Sequence, residues 1–268
     1  MRSELRRSLL SWPFWLSVFL CAAIYISPYW DSLGDILAGR MDSDYFKLFG
    51  YSHDLTFLWH AAPFLGCVPF AASFADETAC GMHRMMIARQ GRKRYFAKRM
   101  FAVWLSGYGV VCLGMLLAMA FWMMVGKAPM AQGYDFTFSY VSDFHWTPLV
   151  QGGHFIRGMV VACLYTGLYG GFWALMGLAI TAYTPNRYVA VVAPFLIYFF
   201  SSLICTFIPQ PYNEWHPVRL VSAAYLGYCL PFGWAWAAAL AYYLLLDALM
   251  VGLFVLGIQR RDRHGSFA

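Results

Sequence analysis

Six stretches of this chain, roughly 12–28, 55–75, 101–125, 157–183, 188–208 and 234–258, stay apolar for about the length a helix needs to cross a bilayer. Hydrocarbon about 30 Å thick takes roughly 20 helical residues, and its lack of water obliges backbone N–H and C=O groups to pair inside the segment. Helices meet that demand, so the pattern predicts an all-α, polytopic membrane protein with six transmembrane helices. Hydrophobic residues make up 61% of the 268-residue chain and charged residues only 12%, whereas a soluble domain carries about 25% charged residues. So little charge cannot cover a water-facing surface of this size. The start, MRSELRRSLLSWPFWLSVFL, has the basic head and apolar body of a signal peptide. It runs on into further apolar sequence with no small-x-small cleavage site, and is read as the first span. With no polar linker, low-complexity tract or repeat, 1–268 is expected to be a single membrane domain.

Six crossings would put both termini on one face, joined there by loops at 76–100 and 184–187. That face collects fourteen of the nineteen Lys and Arg: Arg2, Arg6, Arg7, the seven within 84–99, Arg187, Arg260, Arg261 and Arg263. The opposite loops, near 29–54, 126–156 and 209–233, carry Arg40, Lys47, Lys127 and Arg219 beside eight acidic residues, and Arg157 sits at a span edge. Basic residues stay on the cytoplasmic side of a membrane. Both termini and the 76–100 loop are therefore expected in the cytosol of a cell with this protein in its membrane. The opposite loops are rich in Trp and Tyr, which suit the interface. The half-apolar 218–233 segment is too short to cross and is read as a re-entrant dip.

The stretch FADETACGMHRMMIARQGRKRYFAKRMF, 74–101, concentrates seven cations between two apolar spans. Nucleic-acid binding would need a folded basic domain or a stacking platform, and about twenty-five tethered residues supply neither. Attraction to anionic membrane lipid is the simplest role, since juxtamembrane cations gain about 1 kcal/mol each there. The order of residues suggests more. Asp76 and Glu77 suit a helix start. Met82, Met85 and Met86 then form an apolar stripe, Gly91 breaks the helix, and RKRYFAKR restarts it into the third span. A short amphipathic helix between two turns is a docking element, with apolar knobs for a groove and flanking cations for acidic residues.

On these residues the chain resembles the permease subunits of type-2 ABC transporters. Glu77 after the second span, Gly81 four positions later, the apolar turn Met85 to Ile87, the basic Arg92 to Arg94, then Tyr95, Phe96 and Lys98 follow that family's order. Met82 stands where many relatives have threonine, and Arg89-Gln90 where they have proline. The resemblance implies an N-terminal interfacial elbow helix at about 1–11, which fits the alternating Arg and Leu of SELRRSLL. It also implies a coupling helix within about 76–100, seated in a cleft of a separate ABC ATPase subunit through Glu77, Gly81, Met82, Met85, Met86, Arg89, Arg92 and Arg94. A second permease subunit, the same or different, would complete the translocation path. The implied activity is export of a peptide, a lipid or a drug-like molecule from a bacterial cell. No cofactor is expected on this chain. The phosphate-cradling G-x-x-x-x-G-K-[ST] is missing, VGKAP at 125–129 being the nearest fragment, so ATP would be bound and hydrolysed by the partner, and the chain itself is not read as an enzyme.

Other residues are open to two readings. Asp247, midway along the sixth span, must face protein or water. It either hydrogen-bonds a neighbouring helix or belongs to the translocation path. His60 in the second span is a packing histidine or a path residue. Were Asp247 a coupling group, the chain would be a stand-alone ion-coupled carrier or channel; a non-transporting membrane assembly factor is a further alternative. Cys80, Met82, His83, Met85 and Met86 resemble a soft-metal set, but helical spacing spreads them over more than one face, and no metal is expected. The seven cysteines, odd in number and mostly within apolar runs, read as small buried hydrophobes. Gly167 and Gly171, with Gly170, Ala174 and Gly177, predict close helix packing. Pro63, Pro69 and Pro194 predict kinks.

Overall fold

The computed structural model describes residues 2–40, 44–129, 153–208, 216 and 232–263. The dip expected at 218–233 falls outside the described residues up to 231, and 232–233 already belong to a helix. The elements are α1 (Arg2–Leu9), α2 (Trp12–Ile26) with a 3-10 turn at Ser27–Tyr29, α3 (Leu33–Leu37), α4 (Tyr45–Leu55), α5 (Leu58–Cys67) and α6 (Ser73–Ala79). They continue as α7 (Met82–Gln90), α8 (Arg92–Val125), α9 (Phe155–Thr181), α10 (Arg187–Cys205) and α11 (Phe232–Arg263). No strand occurs among the described residues; one isolated bridge joins Asp44 to Lys127.

Five helical segments are long and apolar enough to cross a membrane: Trp12–Tyr29, Arg92–Val125, Phe155–Thr181, Arg187–Cys205 and Ala237–Arg261. Their starts are set by local chemistry. The Ser11 side chain accepts a hydrogen bond from the Phe14 N–H, with Pro13 behind it, and Asn186 accepts one from the Tyr188 N–H. Each satisfies a donor that the first helical turn leaves unpaired.

The expected second span, 55–75, is not one continuous helix. Leu55 ends α4, α5 closes at Cys67, and the chain turns through 68–72 before α6 begins at Ser73. Pro69 is the physical reason. It has no N–H to continue the ladder, and its ring clashes with the carbonyl one turn earlier. Pro63, by contrast, is accommodated inside α5, as is Pro194 inside α10. The third span also begins earlier than 101. At a rise of ~1.5 Å per residue, α8 is about 50 Å long, well beyond a hydrocarbon thickness of about 30 Å. Its first turns, with Arg92, Lys93, Arg94 and Lys98, therefore project past the apolar layer.

The core forms around α9, whose most apolar window is 78% buried against 17% for α10 and 22% for α11. Small residues make this possible. A Cβ on Gly170 would lie 2.5 Å from the Gly107 carbonyl oxygen and 2.6 Å from Val111 Cγ2, and a Cβ on Gly107 would lie 2.5 Å from the Gly170 carbonyl oxygen. The two backbones thus touch where α8 crosses α9. Gly167 and Gly171 do similar work for Tyr108 and Trp104, so the expected small-residue packing lies within the chain. Gly170→Val should separate α8 from α9 and destabilise the fold by at least the 1–3 kcal/mol typical of overpacking. Unfolding in mixed detergent micelles measures it, and wild-type stability of that variant would mean the crossing is not as close as described.

The two ends of the bundle differ in charge. At one end α1 packs on α8, α7 packs on α6 and α8, and the α9–α10 turn meets α11. There a Cβ on Gly257 would lie 2.7 Å from Ala182, and the Tyr183 hydroxyl donates to the Leu253 carbonyl at 2.9 Å. Most of the described Lys and Arg sit at this end. At the other end α4 and the 3-10 turn fold back onto the last turns of α8: the Tyr45 N–H donates to the Lys127 carbonyl at 3.0 Å, and Tyr29 packs edge-on against Trp122.

Candidate functional site

The sequence between α5 and α8 is turned twice by glycine. Gly81 has φ +68° and Gly91 φ +78°, left-handed values that side chains with a Cβ adopt at a cost. These turns bound α7 and lay it across the basic end as a separate two-and-a-half-turn helix. Asp76 and Glu77 do not open it, contrary to expectation. They lie in α6, and no acidic residue occupies the first turn of α7.

The face of α7 is split. His83 is buried, and Met86 and Ile87 pack against the core. Met82 and Met85 point away, 38% and 60% exposed, with Arg84 and Arg89 beside them. The methionine stripe read from spacing is thus two faces, and Met86 belongs to the inner one. Gln90 holds the far end, accepting a hydrogen bond from Lys98 Nζ at 2.8 Å. Arg92, Lys93 and Arg94 are exposed at the start of α8.

Beneath α7 lies a cluster of buried charges. Glu77 is 2% exposed and Arg99 1%. The Glu77 carboxylate receives Arg7 Nη1 on Oε1 at 2.7 Å and the Tyr95 hydroxyl on Oε2 at 2.8 Å, and contacts the Arg99 guanidinium through Oε2. Arg99 Nη1 donates to Glu4 Oε2 at 3.0 Å, and its guanidinium lies over the Phe70 ring, 4.9 Å from the centroid. Two carboxylates and two guanidiniums balance. That neutrality, with charge-assisted hydrogen bonds, offsets much of the cost of taking ions out of water. The cluster ties α1, α6 and α8 together at the root of α7. Glu77, expected to face a partner, instead anchors the helix that would. Glu4, Arg7 and Arg99 were not singled out as site residues. One signal was available: Tyr95, Arg99, Ala102, Val103 and Ser106 recur at helical spacing and are all buried, so Arg99 falls on the inner stripe of α8.

Asp247 and His60 are not brought together. Asp247 is half-buried on α11 and accepts a hydrogen bond from Trp104 Nε1 through Oδ2 at 2.9 Å, while Oδ1 has no hydrogen-bond partner among the described residues. Gly171 of α9 leaves the space for that indole, since a Cβ there would lie 2.7 Å from Trp104 Nε1. The bond thus ties α11 to α8, the helix-contact reading of Asp247. His60 is on the outer side of α5, stacked on Phe57 at 5.0 Å and edge-on to Tyr198 of α10 at 5.5 Å. Among the described residues no three His, Cys, Asp or Glu side chains converge in a way that could hold a metal.

The arrangement contains a short helix with two exposed methionines, rooted in an ion cluster shared by three other helices. Comparison with family models, with curated proteins and with solved structures finds no match to this chain, so its resemblance to type-2 ABC permeases stands on the residues of 77–98 and on the helical plan alone.

Proposed function

We propose that this chain is the membrane-spanning permease subunit of an ATP-driven exporter, docked through α7 to a separate ATPase subunit and paired with a second permease. In this reading the membrane is crossed six times, the broken α5–α6 pair counting as one crossing, and α1 is the elbow helix. The observation that carries it is α7 itself: Met82 and Met85 exposed on a short helix that lies beyond the apolar layer, between two left-handed glycines. Apolar side chains held out into water on a rigid base are suited to a protein groove. Closure of the ATPase dimer on ATP would displace α7. The Glu77–Arg99–Arg7 contacts would pass that displacement to α6, α8 and α1 together instead of letting the loop yield.

The exporter reading requires the basic end to face the cytosol. Cys80, exposed in the turn before α7, reports on it directly. A membrane-impermeant maleimide should leave Cys80 unmodified in intact cells and modify it after permeabilisation, with Cys80→Ser giving the background. Equal modification in intact cells would place α7 outside and end this proposal.

A further inference from the structure

α11 is held at two levels by different means. Its buried residues Ala239, Tyr243, Met250, Phe254 and Ile258 recur at helical spacing, a stripe that packs chiefly on α9. The basic end of that stripe is fixed. Phe254 packs edge-on against Phe74 and Phe96, with ring centroids 5.4 and 5.7 Å away. Nearly a turn further on, a Cβ on Gly257 would lie 2.7 Å from Ala182 Cβ, so α11 touches the α9–α10 turn there. At mid-depth the stripe is interrupted. Asp247 falls between Tyr243 and Met250 and takes the Trp104 N–H of α8 on Oδ2, while Oδ1 is buried with no hydrogen-bond partner among the described residues. Between the two levels stands Gly252. A Cβ there would meet nothing within 4 Å, so close packing does not account for this glycine as it does for Gly257. Glycine in a helix interior weakens the helix, and a sharp bend needs such a local cause.

We infer that α11 is a hinged helix: the part beyond Gly252, away from the basic end, swings from α8 about that glycine, and the Trp104–Asp247 hydrogen bond is the clasp that holds it shut. The clasp is weakly committed to its closed form. Closed, the carboxylate has one donor and keeps an unmet oxygen, a cost carried by the packed state. Parted, it meets water in the opened seam, the usual recourse of an ionisable group within a membrane. An apolar pair in the same place would lose its contact and gain nothing. The donor is held from its other sides and stays when α11 leaves. Gly171 of α9 leaves room for the indole Nε1, and Tyr108 stacks on the ring with centroids 5.2 Å apart. This device goes beyond docking at α7 and does not depend on it.

The test measures two distances by double electron–electron resonance on the full chain in lipid nanodiscs, with Cys80, Cys205 and Cys229 replaced by serine. Labels at Leu113→Cys of α8 and Ala241→Cys of α11 report beyond Gly252, and labels at Ala97→Cys and Leu256→Cys report on the basic-end side; all four positions are exposed. Ala241 lies about 16 Å along the helix from Gly252, so a bend of about 20° should lengthen the first distance by about 6 Å. Trp104→Phe keeps a ring, removes the N–H, and should produce that lengthening while the second distance stays unchanged. Asp247→Leu removes the acceptor instead and should act in the same way. Asp247→Asn, whose amide oxygen still accepts from the indole, should keep the wild-type distance. Gly252→Ala added to Trp104→Phe should restore it. Wild-type distances in both Trp104→Phe and Asp247→Leu overturn the inference, as does equal lengthening of the two pairs, which would mean that α11 leaves as a whole. Lengthening that persists with Gly252→Ala removes the hinge and overturns it too.

Discussion

Glu77→Ala should destabilise the protein by about 3–5 kcal/mol, the cost of leaving a buried charge without its partner. The group left short of counter-charge is Arg99, 1% exposed, which would keep Glu4 as its one carboxylate. Tyr95 would lose the acceptor of its hydroxyl as well. The cluster is graded. Arg7 reaches Glu77 from a side chain that is 50% exposed, so Arg7→Ala should cost no more than the ~1 kcal/mol of a solvated pair. Removing all three buried charges leaves no orphan. Glu4→Met, Glu77→Met and Arg99→Met together should therefore be less destabilised than Glu77→Ala alone, because apolar side chains need no counter-charge. Unfolding in mixed detergent–SDS micelles reads all four proteins. Limited proteolysis at Arg84 and Arg89 reads whether α7 has come loose from its base. A Glu77→Ala protein as stable as wild type and equally protected at those sites would mean that the cluster does not hold α7.

Met82→Asp with Met85→Asp should abolish association with the proposed ATPase subunit and leave folding intact. Both side chains are exposed, so a carboxylate in either place is solvated in the free chain and costs little. In a complex, the same carboxylates would have to be desolvated inside an apolar groove without partners, a penalty of several kcal/mol each. The loss should thus be near complete in co-purification, with melting and membrane insertion unchanged. Met86→Asp is the informative contrast. Met86 packs against the core, so that substitution should lower stability before it lowers association. If the double variant keeps its partner at wild-type level, the outer face of α7 is not the docking face.

The spans were legible because a long apolar run is a strong and local signal. Five of the six expected segments correspond to helices: α2 starts at Trp12 as expected, behind the Ser11 cap, whereas α8 starts nine residues early, after Gly91, and α11 runs five residues past 258 to Arg263. Pro63 and Pro69 marked the second span as irregular, yet sequence could not say that one proline would be absorbed and the other would end the helix. That depends on what α9 and α10 pack against α5. Periodicity found the α7 helix but gave its methionines one face when they have two, because in a nine-residue helix whose polar residues are spread round the axis spacing carries little directional information. The ion cluster was the least legible. Glu4 and Arg99 are separated by 95 positions, and Arg7 and Glu77 by 70. Nothing local pairs them. Only the burial stripe on α8 hinted that one cation of the run differed from its neighbours, and the charge it meets is supplied by the tertiary fold.

The most direct test of the exporter proposal is ATP hydrolysis by the chain extracted from its native membrane with whatever it holds. The sequence has no phosphate-cradling loop of its own. The wild-type preparation should nevertheless hydrolyse ATP through a bound companion. The Met82→Asp, Met85→Asp preparation should hydrolyse none, while remaining folded and inserted. Wild-type chain that moves solute across vesicles with no companion and no ATP would contradict the proposal outright.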